Sequence, residues 1–360
     1  METVLNKSER TAYELGALYE RYGYSQYKMS KFEEYDLYVR NKSFLVSDHI
    51  ITFTDTDGKL MALKPDVTLS IVKNSKDSTD GVRKVYYNEN VYRVPKGALS
   101  FKEIMQSGLE CIGDIDDYCV SEVLTLAAKS LEKISHDFVL DVSDMSIISG
   151  IVDSLSLSRK GREDVLVCIG EKNLHGIDAV CRAEGVDGAR AQTLKELVSS
   201  ELDCEKMLSI LKDTECADEA RALASIIEVL ASELGARIRI DFSVIADMRY
   251  YNGIVFKGFV RGVPTAVLSG GRYDSLMQKM GKGSGAIGFA VYLDAIAELD
   301  EIYCEYDTDV FVLYDDNIDV RVISKVVREV AQSGERALAG KKVPEKLKYK
   351  SIVDLTKEEA

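Results

Sequence analysis

Three glycine-bearing segments between Asp247 and Asp294 gather the residue types best suited to holding a small molecule. Met248–Phe259 (MRYYNGIVFKGF) reads as a turn leading into a β-strand. Leu268–Met277 (LSGGRYDSLM) follows, and in Gly285–Ile296 (GAIGFAVYLDAI) glycines lead into a strand and then a helix. Glycine has no Cβ, so backbone at such positions can approach a ligand closely. Cations that could offset developing negative charge are absent from the places where nucleotide chemistry would want them. That mismatch points to a ligand sensor rather than a catalyst.

The elements that must position these segments show in the periodicity. Leu15, Leu18 and Tyr22 share one face of a helix predicted over 8–22, which Gly23 ends. Short apolar runs follow at Phe44–Val46, Ile50–Phe53, Leu60–Leu63 and Val82–Tyr87, with Asp57-Gly58 as a hairpin-turn signal. Gln106–Ile112 reads as a strand, and Val120, Val123, Leu124, Ala127 and Leu131 as one stripe of the next helix. From about 154 to 235 the texture turns helical: Leu223, Ile227, Leu230 and Leu234 recur at helical spacing, and Gly235 is a C-cap candidate. Alternating Ile238, Ile240 and Phe242 mark the return to sheet. The pattern predicts an α+β domain over 1–302 with a helical insert, then a small α/β unit over 306–360. In that unit Val310–Tyr314 reads as a buried strand. Val322, Val326 and Val330 form a helix face ending by Gly334, and a last strand lies near Ser351–Leu355. About fifty residues support one β-α-β element at most.

At 360 residues the chain can bury a large core, and its 46% hydrophobic and 29% charged composition is ordinary for a globular protein. The net charge of −14 comes with no basic block, which disfavours nucleic acid as a partner. Met1–Gly16 lacks the apolar core of a signal peptide, and no run approaches the ~20 apolar residues of a membrane span. Seven scattered cysteines without a CxxC pair fit reduced thiols and a cytoplasmic setting. His49, His136 and His175 lack metal-ligand spacing, so neither a metal nor a cofactor is expected.

Four blocks spread over roughly 8–300 resemble the histidyl-tRNA synthetase catalytic core, a class II synthetase fold with an antiparallel sheet flanked by helices. They are Leu63–Thr68 (LKPDVT); Lys84–Arg93 with Phe101–Gly113, which is similar to the motif 2 strand-loop-strand; Arg249–Phe256, similar to the histidine-specific block; and LSGGRYD with GFAVYLDAI, similar to motif 3. Departures are as informative. Ala246 stands where the synthetases carry an arginine that helps activate the amino acid, and Ala295 where motif 3 ends in an arginine against ATP. Tyr292 replaces a glycine, Pro95 an acidic residue and Ser30 the motif 1 proline. Losing one donor aimed at developing charge costs a hundredfold or more in rate. The C-terminal unit resembles a truncated anticodon-binding domain. A synthetase-like core of this kind resembles the ATP phosphoribosyltransferase regulatory subunit family, to which MRYYNGIVFKGF with its Lys257 is also similar.

That resemblance implies a non-catalytic subunit that binds L-histidine and conveys feedback to the short-form catalytic subunit of ATP phosphoribosyltransferase, as a homodimer within a hetero-oligomer. It further implies Asp66, Thr68 and Gln106 around an α-ammonium, Glu110 and Tyr250 at an imidazole, and Arg93 at a carboxylate. Gly270 and Gly271 would pass beneath the ring, with Tyr251 or Tyr273 as a wall and Arg272 nearby. Plainer roles stand beside these: Asp66 as a helix cap, the tyrosines as core packing, the glycine pair as a bulge, and Arg272–Asp274 as a structural ion pair. An active histidine-activating enzyme and a stand-alone amino-acid sensor remain as alternative functions.

Overall fold

The computed structural model describes residues 5–45, 49–75, 81–94, 99–199, 202–245, 250–297, 299 and 306–357. Ala246, Pro95 and the expected boundary at 302–306 fall wholly or partly outside them. The chain divides into two compact units, Met1–Leu299 and Asp300–Ala360.

The first unit opens with helix α1 (Lys7–Arg21). Asn6 accepts from the Glu9 amide at 2.8 Å and Glu9 returns a bond to the Asn6 amide, so two otherwise orphaned donors are satisfied. Gly23 ends the helix at φ +84°, a conformation that favours glycine. Around the turn at Gly58, β3 (Thr52–Thr54) and β4 (Leu60–Leu63) pair as the Asp-Gly signal predicts. With β2 (Phe32–Glu34) they make a small antiparallel sheet, and α2 (Tyr35–Arg40) follows β2.

Among the described residues the main sheet has eight strands in the order β1-β5-β6-β11-β10-β9-β7-β8. These are β1 (Ser25–Gln26), β5 (Val82–Arg93), β6 (Lys102–Gly113), β7 (Phe138–Asp144), β8 (Ile238–Ile240), β9 (Ile254–Val260), β10 (Leu268–Arg272) and β11 (Gly285–Tyr292). The central pairings, β5 to β6 to β11 to β10 to β9 to β7, are all antiparallel; β1 and β8 join the two edges in parallel. Helix α4 (Asp117–Ile134) is capped by Asp116 on the Cys119 amide and buries all five residues of the predicted stripe. Each valine or leucine so buried contributes about 1.5–3 kcal/mol relative to exposure, and the Ala127 methyl less. Together with α1 and the helical segment it forms the larger core cluster.

That helical segment comprises α5 (Met145–Ser154), α6 (Arg159–Gly170), α7 (Leu174–Ala183), α8 (Gly188–Val198), α9 (Cys204–Leu211) and α10 (Ala217–Leu234). A second core cluster gathers Tyr38, Leu69, Ile71, Val85, Tyr87, Tyr273 and Leu276 around α3 (Thr68–Asn74) and α11 (Asp274–Lys279). The first unit closes with α12 (Leu293–Ile296).

In the second unit, β12 (Thr308–Leu313) lies between β13 (Ala337–Gly340) and β14 (Tyr349–Asp354), all parallel, with α13 (Val320–Gln332) after the first strand. This is one strand more than the single β-α-β element expected. The extra strand reads ALAG and has no β-branched or aromatic residue to announce it.

Candidate functional site

Register places the site. Glu110 on β6 stands opposite Gly288 on β11, and Gly288 opposite Gly271 on β10. One row along on the same face lie Ala290, Ser269 and Lys257, and beyond them Gln106 faces Tyr292. Above this face a cavity of about 680 Å³ opens. Its walls include Asp66, Thr68, Arg93, Gln106, Glu110, Tyr250, Tyr251 and Gly270, eight of the ten residues singled out from sequence.

Gly271 and Arg272 are not part of that wall. A Cβ on Gly271 would lie 2.7 Å from the Ile254 carbonyl oxygen and 2.7 Å from the Tyr251 ring, so this glycine determines where Tyr251 can sit. Gly270 is as constrained: its Cβ would lie 2.4 Å from the Gly288 carbonyl oxygen. Arg272 donates from Nε to Asp274 at 2.7 Å, and the other Asp274 oxygen accepts from the Ala286 amide at 2.9 Å. Their ion pair fixes the entry to α11 beside a separate depression of about 340 Å³.

Glu110 is the most tightly held member. It is 2% exposed. The Thr68 hydroxyl donates to Oε1 at 2.7 Å and the Tyr273 hydroxyl donates to Oε2 at 2.6 Å. Burial outweighs both bonds and pushes the carboxyl up to about 8. The sequence did not reveal this pairing: Thr68 is spent on Glu110, and Tyr273, read only as a wall, is its second anchor. Gly288 makes room for the carboxylate, since a Cβ there would lie 1.8 Å from Oε2.

Asp66 lies two residues before α3 and accepts from the Leu69 amide at 2.9 Å, so it both holds the helix's first turn and faces the cavity. Burial raises its carboxyl, opposed by that amide and by the Arg93 charge. Arg93 and Lys257 line the cavity with no hydrogen-bond or ion-pair partner among the described residues.

Aromatic rings close the other side. The Tyr250 ring centroid is 4.5 Å from that of Tyr251 and 5.8 Å from those of Phe44 and Tyr273. Burial drives the phenols of Tyr250, Tyr251 and Tyr273 well above their usual range, so they act as neutral groups. Tyr292 fills the far end, its hydroxyl 2.5 Å from Ser269 Oγ. Phe44, Ser269 and Tyr87 also line the wall; Tyr87 carried no signal beyond an apolar strand pattern. The arrangement offers acceptors at one end, a guanidinium beside them, and a buried carboxylate under an aromatic cover. It suits a zwitterion with a nitrogen-bearing ring better than a polyanion.

Comparison with known proteins agrees with this architecture. An ATP phosphoribosyltransferase regulatory subunit from Alkaliphilus metalliredigens is 27% identical over 287 residues, 76% of this chain and 72% of its own. One from Caldanaerobacter subterraneus subsp. tengcongensis is 29% identical over 291 residues, 78% of this chain and 75% of its own. Among solved structures, an ATP phosphoribosyltransferase regulatory subunit/histidyl-tRNA synthetase from Bacillus halodurans superposes with a TM-score of 0.75 at 21% identity, covering 96% of this chain and 93% of its own. An ATP phosphoribosyl transferase complex from Thermotoga maritima supplies a chain with a TM-score of 0.62 at 17% identity, covering 79% and 96%. These likenesses show the α+β fold of class II synthetases. The histidyl-tRNA synthetase family model matches residues 2–296, and the chain belongs to that family.

Proposed function

We propose that the chain is a non-catalytic regulatory subunit of ATP phosphoribosyltransferase, binding free L-histidine and conveying feedback to a short-form catalytic subunit at the first step of histidine biosynthesis. The names of its relatives support this reading. One observation carries it: Asp66, Arg93, Gln106 and Glu110 line one cavity, with Tyr292 held against Ser269 in the same wall. Asp66 and Gln106 accept from the α-ammonium and Arg93 pairs with the carboxylate. Glu110 and Tyr250 meet the two ring nitrogens. Tyr251 forms a wall, and Gly270 lets the sheet pass beneath the ring. A homodimer through the class II core, inside a cytoplasmic hetero-oligomer, is the natural unit, with Asp300–Ala360 as a shortened anticodon-domain relic. Regulation is then linkage: histidine binds one state of the assembly more tightly than another.

Calorimetry tests the core of this. Histidine is expected to bind at micromolar levels, tighter or weaker once the partner is present, whereas ATP with magnesium gives no heat. Histidine-dependent exchange of pyrophosphate into ATP at enzyme-like rates would instead establish an activating enzyme. Within the cavity, Arg93→Ala is expected to weaken histidine binding by tenfold or more, the loss of a charged hydrogen bond. Arg272→Ala, outside the wall, is expected to change it by less than about threefold, since its partner Asp274 keeps the Ala286 amide. Equal losses in the two variants would mean that the wall has been wrongly drawn.

A further inference from the structure

A second cavity of about 620 Å³ lies between the helical segment and the free edge of β8, sharing no residue with the first. Strand β8 pairs only with β7 among the described residues. The Asp241 amide donates to the Val142 carbonyl at 2.8 Å. In a parallel ladder alternate residues turn their backbone groups the same way, so Arg239 and the Asp241 N–H face β7, while the Asp241 carbonyl accepts from the Val244 amide at 3.0 Å. Ile240 therefore turns its N–H and C=O outward, and Ile238 its C=O, into the cavity that both residues line.

The surroundings of this edge are specific. Its floor is apolar, formed by Leu202, Ile227, Ala231 and the two isoleucines. The cations on the wall are already used: Lys172 pairs with Asp241 at 2.7 Å and Arg239 with Asp141 at 2.8 Å. Glu205 and Glu228 line the mouth, exposed and with no cation partner among the described residues. The Ser199 hydroxyl is buried in the same wall without a hydrogen-bond partner among the described residues. A buried hydroxyl left unpaired is costly and points to a missing polar neighbour.

We propose that this edge is a docking site for an extended peptide segment carrying lysine or arginine at alternate positions. The segment adds a strand to β8, taking the outward backbone groups of Ile240 and Ile238. Every second side chain rests on the apolar floor, and the intervening cationic ones meet Glu205 and Glu228. Charge complementarity selects this occupant over a second copy of the chain, which at a net charge of −14 would bring like charge to the same rim.

The test uses the full-length chain and a fluorescent pentapeptide, Lys-Val-Arg-Val-Lys, capped at both ends, with its Glu-Val-Glu-Val-Glu counterpart as control. Saturable binding of the cationic peptide is expected, at least tenfold tighter than the anionic one and weakening steeply with salt. Replacing Glu205 and Glu228 together by lysine, both exposed and without hydrogen-bond or ion-pair partners among the described residues, is expected to cost tenfold or more. N-methylation of the peptide amides on the edge-facing side is expected to abolish binding without altering the protein. Histidine affinity stays unchanged throughout, which separates this site from the first cavity. No saturable binding at millimolar peptide, equal affinity for both peptides, or indifference to the charge reversal would each overturn the proposal. So would sedimentation showing that chains self-associate through this edge, with the association lost in Ile240→Pro.

Discussion

Gly288→Ala is expected to unfold the chain partly or lower its Tm by roughly 5 °C or more, and to abolish histidine binding in whatever folded protein remains. An added Cβ would lie 1.8 Å from Glu110 Oε2 and 2.4 Å from the Leu109 carbonyl oxygen. The carboxylate is the end of a side chain and could turn away, but only by leaving both the Thr68 and Tyr273 hydroxyls. The carbonyl belongs to β6 itself, so the central β6–β11 pairing would have to separate. Overpacking that moves backbone in a core costs about 3 kcal/mol or more, and that magnitude gives the expected shift in Tm for a chain of this size. Gly170→Ala provides the control. It lies at the end of α6 with nothing within 4 Å of an added Cβ, and its effect is expected within about 0.5 kcal/mol. Thermal unfolding of both variants beside the native chain decides the matter. A Gly288→Ala protein with native Tm and native affinity would mean that the sheet yields freely at its centre, and Glu110 would then lose its claim to a fixed position.

What the sequence disclosed and what it hid follow from range. Local signals held: the Asp-Gly turn before Lys59, the stripe on α4 and the glycine after α1 all sit where spacing put them. Each depends on residues a few positions apart. Block resemblance also placed Asp66, Glu110 and Tyr250 in one cavity, although they are widely separated in the chain. Nothing local states that Thr68 will spend its hydroxyl on Glu110, or that Tyr273 will reach the same carboxylate from 163 positions away. Such partners emerge only once β6, β10 and β11 are in register. Arg272 illustrates the reverse. It sits inside a glycine-rich block that borders the cavity, yet strand alternation turns it toward Asp274. Strand β13 escaped notice because alanine and glycine carry no β signal; it is held by pairing with β12.

Glu110 also sets an expected pH dependence, opposite to that of the usual salt-bridged carboxylate. Its folded-state value of about 8 lies above the ordinary 4.5, because burial penalises the charged form more than two hydroxyl donors stabilise it. Between those values the folded chain holds a proton that the unfolded chain has released. Stability from this group is therefore fully present below about pH 4.5 and is lost as pH rises through 8. Asp66, raised by burial as well, acts in the same direction. Over the whole window the loss amounts to a few kcal/mol. Glu110→Gln keeps the shape and cannot ionise, so urea unfolding at pH 5, 7 and 9 is expected to show a markedly flatter profile, with the variant more stable than the native chain at pH 9. Histidine affinity is expected to move the other way, falling tenfold or more, because a bound ring N–H favours the ionised form of Glu110, a charged acceptor that an amide cannot become. These two results together assign both effects to one group. An unchanged slope in the Gln variant would transfer the pH dependence to other carboxylates, and an unchanged affinity would remove Glu110 from the ligand.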